Sequence, residues 1–148
     1  MSTLSQTASS QSIPSLQDQP GFTLRNATEL FGRILLASLF LLSGLGKITA
    51  YEATAGYMAS VGVPGGLLPL VIVMELLCSL AIILGWQTRV VSLLLAGFTL
   101  VAGALFHNNF ADQIQMVMFF KNVAIAGALL MLAANGAGRL SLDGRTRK

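Results

Sequence analysis

The sequence predicts an all-α fold, an integral membrane protein built as an antiparallel four-helix bundle. Of the 148 residues, 54% are hydrophobic and only 10% are charged, whereas soluble domains carry about 25% charged residues. Four apolar runs are each about long enough to cross a bilayer as a helix. The connections between them are short, which favours antiparallel neighbours. Most of the protein surface is therefore expected to contact lipid.

The first part of the chain combines a polar tail with the first span. Residues 1–26 are rich in Ser, Gln and Thr, which predicts a disordered tail. This tail lacks the basic start and apolar stretch of a signal peptide, so the first helix is expected to direct insertion. The first span is predicted over residues 27–48, with Thr28 as its N-cap. Arg33 and Lys47 bracket its apolar centre and are expected to snorkel to opposite interfaces.

The second span carries the residue that raises the central question about this chain. Residues 49–64 are predicted to form an amphipathic loop, and the second span is predicted over residues 66–85. This span is apolar at almost every position but holds one carboxylate, Glu75, near its middle. Such a group costs on the order of 2.5–3.5 kcal/mol on insertion scales unless it finds a partner or water. The sequence must therefore supply a partner for Glu75.

The remaining spans complete a membrane domain over residues 27–138. The third span is predicted over residues 89–107 and the fourth over residues 114–135. Glycines stop the fourth helix, and residues 139–148 are predicted to form a basic tail. On the third span one stripe of small and polar residues is formed by Ser92, Ala96, Thr99, Gly103 and His107, and on the second span Glu75 shares its face with Cys78 and Ser79. Such faces are expected to point into the bundle, because membrane helices place large apolar side chains toward lipid.

The distribution of Lys and Arg predicts the orientation. One side of the membrane is expected to hold most basic residues: Arg25, Arg33, Arg89, Arg139, Arg145, Arg147 and Lys148. The opposite loops hold only Lys47, with Lys121 inside the membrane. The positive-inside rule therefore predicts that both termini lie in the cytoplasm. Arg33 and Arg89 are interpreted as anchors at the cytoplasmic interface.

Each predicted span contributes one ionisable side chain to the outer half of the membrane: Lys47, Glu75, His107 and Lys121. Lys121 lies roughly 10 Å and Glu75 roughly 14 Å below the outer ends of their helices, so these two are expected to pair. Lys121 shares a helix face with Ala124 and Ala128, which predicts that it points inward. The expected result is a polar pocket with Glu75 and Lys121 at its floor. Four residues are expected nearer its mouth: Lys47, His107, Gln115 and Asn122.

Three functions fit such a pocket. It is interpreted first as a site for a small polar or quinone-like molecule in a membrane redox system. The alternatives are a non-catalytic assembly subunit in which Glu75–Lys121 is a structural pair, and a transporter for protons or a small solute. The single cysteine, Cys78, is interpreted as a packing residue. One His and one Cys cannot supply a metal site alone, no self-sufficient catalytic motif is present, and scattered basic residues give no nucleic-acid signal.

Several stretches share their order and spacing with one family: GRILLASLFLLSGLGKI, GYMASVGVP, MELLCSLAIILGWQTR, LFH, FFKNVAIAGALLML and GAGRLSLD. Over about residues 29–143 the chain resembles the DoxX family of small four-helix bacterial inner-membrane proteins. The residues that the family pattern marks are Arg33, Lys47, Glu75, His107, Lys121 and Asn122. By analogy with family members, the resemblance implies a quinone-linked subunit of a thiosulfate:quinone oxidoreductase, or a partner in a thiol-oxidative-stress complex. It also implies the lipid bilayer, a redox partner protein or a second copy as partners. A single cysteine lacks the paired thiols of direct disulfide exchange.

Overall fold

The computed structural model describes residues 24–146, and within that part of the chain every regular element is a helix. The helices are α1 Leu24–Thr49, α2 Tyr51–Ser60, α3 Leu68–Leu84, α4 Thr88–Phe106, α5 Gln113–Asn135 and α6 Leu142–Thr146. A 3-10 turn, Gly65–Leu67, leads into α3. Four of these segments are long and apolar enough to span a membrane, namely α1, α4, α5 and the combined segment Gly65–Leu84. The predicted all-α membrane bundle is therefore confirmed.

The long helices begin and end where local chemistry dictates. α3 has a proline in its first turn and ends at Gly85, whose φ of 68° is left-handed and therefore suits glycine. At the start of α5, the Asp112 side chain accepts a hydrogen bond from the Ile114 N–H at 2.8 Å, a standard N-cap. α5 ends at Gly136, which has a φ of 81°. These ends lie within two residues of the ends of the predicted second and fourth spans.

Two helix pairs make up the bundle. α1 packs on α3, α4 packs on α5, and contacts between α3 and α4 join the pairs. All four long helices contribute to one apolar core: Ala37, Phe40, Cys78, Ile82, Leu95, Ala96, Ala126 and Leu129. On α3, α4 and α5 these residues lie in the half of the helix next to the α3–α4 connection. We call that end of the bundle the terminal end, because α1 begins and α5 ends there. The opposite end is the α2 end.

Small residues set the spacing within each helix pair. A Cβ atom on Gly44 of α1 would lie 2.9 Å from Leu76 Cδ2 and 3.4 Å from Glu75 Cβ on α3. A Cβ atom on Gly103 of α4 would lie 3.0 Å from Asn122 Cβ on α5. Glycine allows such backbone approach in membrane helices. The close contacts therefore bring α1 against Glu75 and α4 against Asn122.

Two local predictions near the α2 end and the chain start are wrong. The predicted loop over residues 49–64 contains the ten-residue helix α2, which packs through the buried Met58 against Leu68 and Ile72. Thr28 does not cap α1, since the helix already begins at Leu24 and the Thr28 hydroxyl donates to the Leu24 carbonyl at 2.9 Å. A back-bonded hydroxyl inside a helix replaces the expected cap.

The described part of the predicted basic tail is folded and contains the short helix α6. Residues 136–146, which we call the C-terminal clasp, fold against the α3–α4 connection. The Asp143 carboxylate accepts from the N–H groups of Gln87 and Thr88, both at 2.9 Å, and the Asp143 N–H donates to the Gly85 carbonyl at 2.9 Å. These bonds satisfy free donors at the start of α4. Residues 1–23 and 147–148 lie outside the described residues, so most of the predicted disordered tail is not covered.

Arg33 lies inside this terminal end rather than at a lipid headgroup. Its residue surface is 2% exposed, and its Nη2 donates to the Leu140 carbonyl at 2.5 Å. Arg89, by contrast, is exposed. The two residues interpreted as interface anchors therefore have different environments. Arg33 contacts the C-terminal clasp, whereas snorkelling predicts that it contacts a lipid headgroup.

Candidate functional site

Glu75 finds its partner on α1. The Lys47 Nζ lies 2.9 Å from Glu75 Oε2 and 3.0 Å from Oε1, and it also donates to the Ser43 hydroxyl at 2.6 Å. The Ser43 hydroxyl in turn donates to Glu75 Oε1 at 3.2 Å. The Glu75 side chain is only 4% exposed and that of Lys47 is 23% exposed. These three residues, the polar cluster, compensate the buried carboxylate between neighbouring helices.

The predicted Glu75–Lys121 pair is wrong. Lys121 is exposed on the outer side of α5, where its Nζ lies 3.8 Å from the sulfur of Met118. Ala124 and Ala128, the residues expected to share its inward face, are exposed as well. The inward face instead carries Asn122 and the buried residues Ala126, Leu129 and Ala133. Consecutive positions on a helix differ by about 100°. Lys121 therefore points outward although its neighbour Asn122 points inward.

A cavity of about 420 Å³ lies beside the polar cluster, toward the α2 end. Its wall is mostly apolar and is drawn from α1 to α5 and the segment before α3. The polar wall residues outside the polar cluster are Thr54, Tyr57, Thr99, His107 and Asn122. Pockets for small molecules have this volume range, roughly 300–1,000 Å³, and this combination of apolar walls with a few polar groups.

His107 is fixed by a residue of α5. Its Nδ1 lies 2.8 Å from Gln115 Oε1. An amide oxygen only accepts, so Nδ1 carries the hydrogen in this contact, and Nε2 of the neutral ring is an acceptor. Within the described chain no partner of Nε2 is found. Gln115 thus orients the histidine from behind, while His107 itself lines the cavity.

The structure brings most of the sequence-predicted site residues together. Lys47, Glu75, His107 and Asn122 lie on the cavity wall, and Gln115 holds His107. Lys121 does not line the cavity. Thr54 and Tyr57 join the wall from α2, and the loop prediction for that segment hides them. Their three-residue spacing places both side chains on one face of a helix. A helix prediction for this segment would have placed them together.

The fold and the cavity define a small multi-pass membrane protein with a buried ion pair beside a largely apolar pocket. The DoxX family model matches residues 28–108. The chain therefore belongs to the DoxX family, which confirms the resemblance. The matched range contains the polar cluster and His107, and it ends before α5.

Two curated relatives come from Escherichia coli strain K12. The chain is 48% identical over 120 residues to inner membrane protein YqjF, an alignment that covers 81% of this chain and 92% of that protein. It is 37% identical over 123 residues to inner membrane protein YphA, covering 78% of this chain and 88% of that relative. No solved structure matches the chain. Both relatives are named as inner membrane proteins, in agreement with the four apolar helices.

Proposed function

We propose that this protein binds a small amphipathic molecule in the cavity and serves as the ligand-binding subunit of a membrane redox system. The observation that carries the proposal is the cavity itself, about 420 Å³ in volume, with the polar cluster, His107 and four further polar residues in a mostly apolar wall. Intramembrane ionisable groups that line a cavity are functional candidates by default. The redox role and a quinone-like ligand are drawn from the family resemblance.

The apolar and the polar residues of the cavity wall have separate tasks. The aliphatic and aromatic side chains receive the apolar part of the ligand, and the polar wall receives its head group. In the polar cluster, hydrogen bonds from Lys47 and Ser43 hold the Glu75 side chain in place, so the positions of its two oxygen atoms are fixed. His107 is the wall residue through which a proton is exchanged with the head group.

We place the cavity in the periplasmic half of the membrane, with both termini in the cytoplasm. The support is the distribution of basic residues. The described basic residues at the terminal end are Arg25, Arg33, Arg89, Arg139 and Arg145, whereas the α2 end has Lys47 and the exposed Lys121. Cytoplasmic segments carry the excess of Lys and Arg in inner-membrane proteins.

Binding of a decyl-substituted quinone couple tests the proposed function. The purified protein is placed in lipid nanodiscs, and binding of the oxidised and the reduced form is measured against empty nanodiscs. Ala102 lines the cavity and Ala104 is exposed away from it on the same helix. Wild type and Ala104→Trp are expected to bind saturably, whereas Ala102→Trp fills the cavity and binds at least tenfold more weakly. Absence of saturable binding to wild type, or equal binding by both variants, contradicts the proposal.

One observation favours a second candidate, a structural role in assembly. The hydrogen bonds of the polar cluster are complete among Ser43, Lys47 and Glu75, as a device that fixes α1 against α3 requires. A purely structural cluster predicts no saturable ligand binding by wild type in the same assay. The transporter alternative gains no such support, because the apolar core packs all four long helices together in the terminal half.

A further inference from the structure

The cavity wall is continuous with the surface that faces lipid. Four aliphatic residues of the wall are also strongly exposed: Leu67 by 46% in the turn before α3, and, within α1 and α4, Leu39 by 45%, Val101 by 58% and Leu105 by 43%. Leu39 lies eight residues before Lys47 on α1, about 12 Å along the axis, and Val101 lies six residues before His107, about 9 Å. The rim that the side chains of α1 and α4 form is therefore at hydrocarbon depth. A ligand dissolved in the bilayer meets this rim directly.

The polar cluster offers no uncompensated charge to a ligand. A lysine ammonium has three N–H donors, and those of Lys47 are taken by the Ser43 hydroxyl and the two oxygens of Glu75. An anionic ligand would find no free cation there and would lie beside the Glu75 carboxylate. A cationic ligand would have to displace Lys47. Since charge is costly at this depth, the cluster favours an uncharged ligand.

The hydroxyl groups of the wall have already used their hydrogens on backbone carbonyls. Thr54 donates to Ala50 at 2.8 Å, Tyr57 to Phe106 at 3.3 Å and Thr99 to Leu95 at 2.7 Å. Each hydroxyl oxygen keeps lone pairs that accept hydrogen bonds. The donors of these three side chains are therefore not available to a ligand, but their acceptors are.

The two remaining polar wall residues, His107 and Asn122, also leave hydrogen-bond acceptors free for a ligand. His107 uses its Nδ1 hydrogen on Gln115, which leaves Nε2 as an acceptor. Asn122 donates from Nδ2 to the Met118 carbonyl at 3.1 Å, which leaves its amide oxygen and one N–H. The described wall thus presents mainly acceptors. A ligand hydroxyl can donate to these lone pairs, whereas a ligand that only accepts hydrogen bonds can pair only with the remaining N–H of Asn122 in the described wall.

We infer that the ligand is an uncharged amphiphile that carries a hydroxyl donor and enters the cavity from the bilayer, past Leu39, Val101 and Leu105. The inference rests on the proposed function and names the chemical class of its ligand. Among quinone-like molecules it selects the hydroquinone form over the quinone, because only the reduced form brings hydroxyl hydrogens to the acceptors of the wall.

Three matched probes test the chemical class in nanodiscs at neutral pH: 4-decylphenol, 4-decylanisole and 4-decylbenzoate. The phenol is an uncharged donor, the anisole replaces its hydroxyl hydrogen by a methyl group, and the benzoate is an anion. The phenol is expected to bind saturably, and the other two at least tenfold more weakly. An anisole that binds as tightly as the phenol overturns the donor requirement. A benzoate that binds as tightly or more tightly overturns the requirement for an uncharged head.

The association rate of tritiated 4-decylphenol, measured by rapid filtration, tests the route of entry. The double variant Leu39→Phe/Val101→Phe narrows the rim and is expected to slow association at least fivefold. Leu35→Phe/Leu94→Phe places the same groups at lipid-facing positions of the same helices that do not line the cavity, and is expected to leave the rate unchanged. Equal rates in both double variants overturn lateral entry.

The failures of the two proposals are distinguishable. If the quinone binds as tightly as the hydroquinone, or the anisole as tightly as the phenol, the inference is overturned and the binding function stands. If none of these probes binds saturably to wild type, the binding function is removed together with the inference.

Discussion

Replacement of Lys47 by Met is expected to lower the free energy of unfolding by about 3–5 kcal/mol, the usual cost of removing one partner of a buried ion pair. Glu75 is only 4% exposed, and without Lys47 it keeps only the hydroxyl of Ser43 as a partner in the polar cluster. The carboxylate must then stay charged without compensation or take up a proton. Unfolding of the purified protein in mixed micelles with increasing sodium dodecyl sulfate measures the change.

Lys121→Met is the matched control for this prediction. It makes the same substitution on α5, where the lysine is exposed and 3.8 Å from the Met118 sulfur. Its effect is expected within about 0.5 kcal/mol of zero, as for surface substitutions. Adding Glu75→Gln to Lys47→Met removes the unpaired charge and should restore part of the loss. A Lys121→Met variant that loses more stability than Lys47→Met would contradict the pairing.

Gly85→Ala is expected to destabilise the protein by about 2–5 kcal/mol. Gly85 ends α3 with a φ of 68°, and a left-handed alanine costs roughly 1–2 kcal/mol. Its new Cβ atom would also overlap Arg33 Nη1 and the Cβ atom of Ser141, and would lie 3.0 Å from Ala137 Cβ. Overpacking of this kind costs about 1–3 kcal/mol more. The same micellar unfolding experiment gives the value.

Gly97→Ala supplies the opposite expectation. Gly97 lies in the middle of α4, and a Cβ atom there meets nothing within 4 Å. Alanine at this helical position is expected to be neutral or to stabilise by up to about 1 kcal/mol. If Gly85→Ala proves as stable as Gly97→Ala, the C-terminal clasp does not pack on the α3–α4 connection as described.

The sequence predicted the membrane fold and the orientation of two helices about their own axes. On α4, Ser92, Ala96 and Thr99 are buried as the small and polar stripe predicts, and on α3 Glu75 faces inward with Cys78. The inward face of these helices can be predicted because their few polar or small residues lie on one face and large apolar residues occupy the rest.

The orientation of α5 could not be predicted in the same way. Small residues occur on both of its faces, with Ala124 and Ala128 outward and Ala126 and Ala133 inward, so the small-residue rule gives no direction. Similar depth, together with the face that Lys121 shares with Ala124 and Ala128, therefore predicts the wrong partner for Glu75. Lys47 is predicted near the mouth of the pocket rather than beside Glu75, because contact between the two depends on the close approach of α1 and α3 at Gly44.

The C-terminal clasp was missed for a different reason. Arg33 donates to Leu140, 107 residues further along the chain, and Asp143 caps α4 from beyond the end of α5. A short polar segment with glycines has no periodicity, and its partners are set by the fold of the whole bundle. Local pattern therefore predicts a tail where long-range contacts produce structure.

Native mass spectrometry of the protein extracted together with its own membrane lipids tests the central claim, that the cavity beside Lys47 and Glu75 is occupied by a ligand. The account predicts one bound small amphiphile in wild type and in Ala104→Trp, and its loss in Ala102→Trp, whose side chain fills the cavity. A wild-type protein without a bound molecule, or an adduct that survives in Ala102→Trp, would contradict the account.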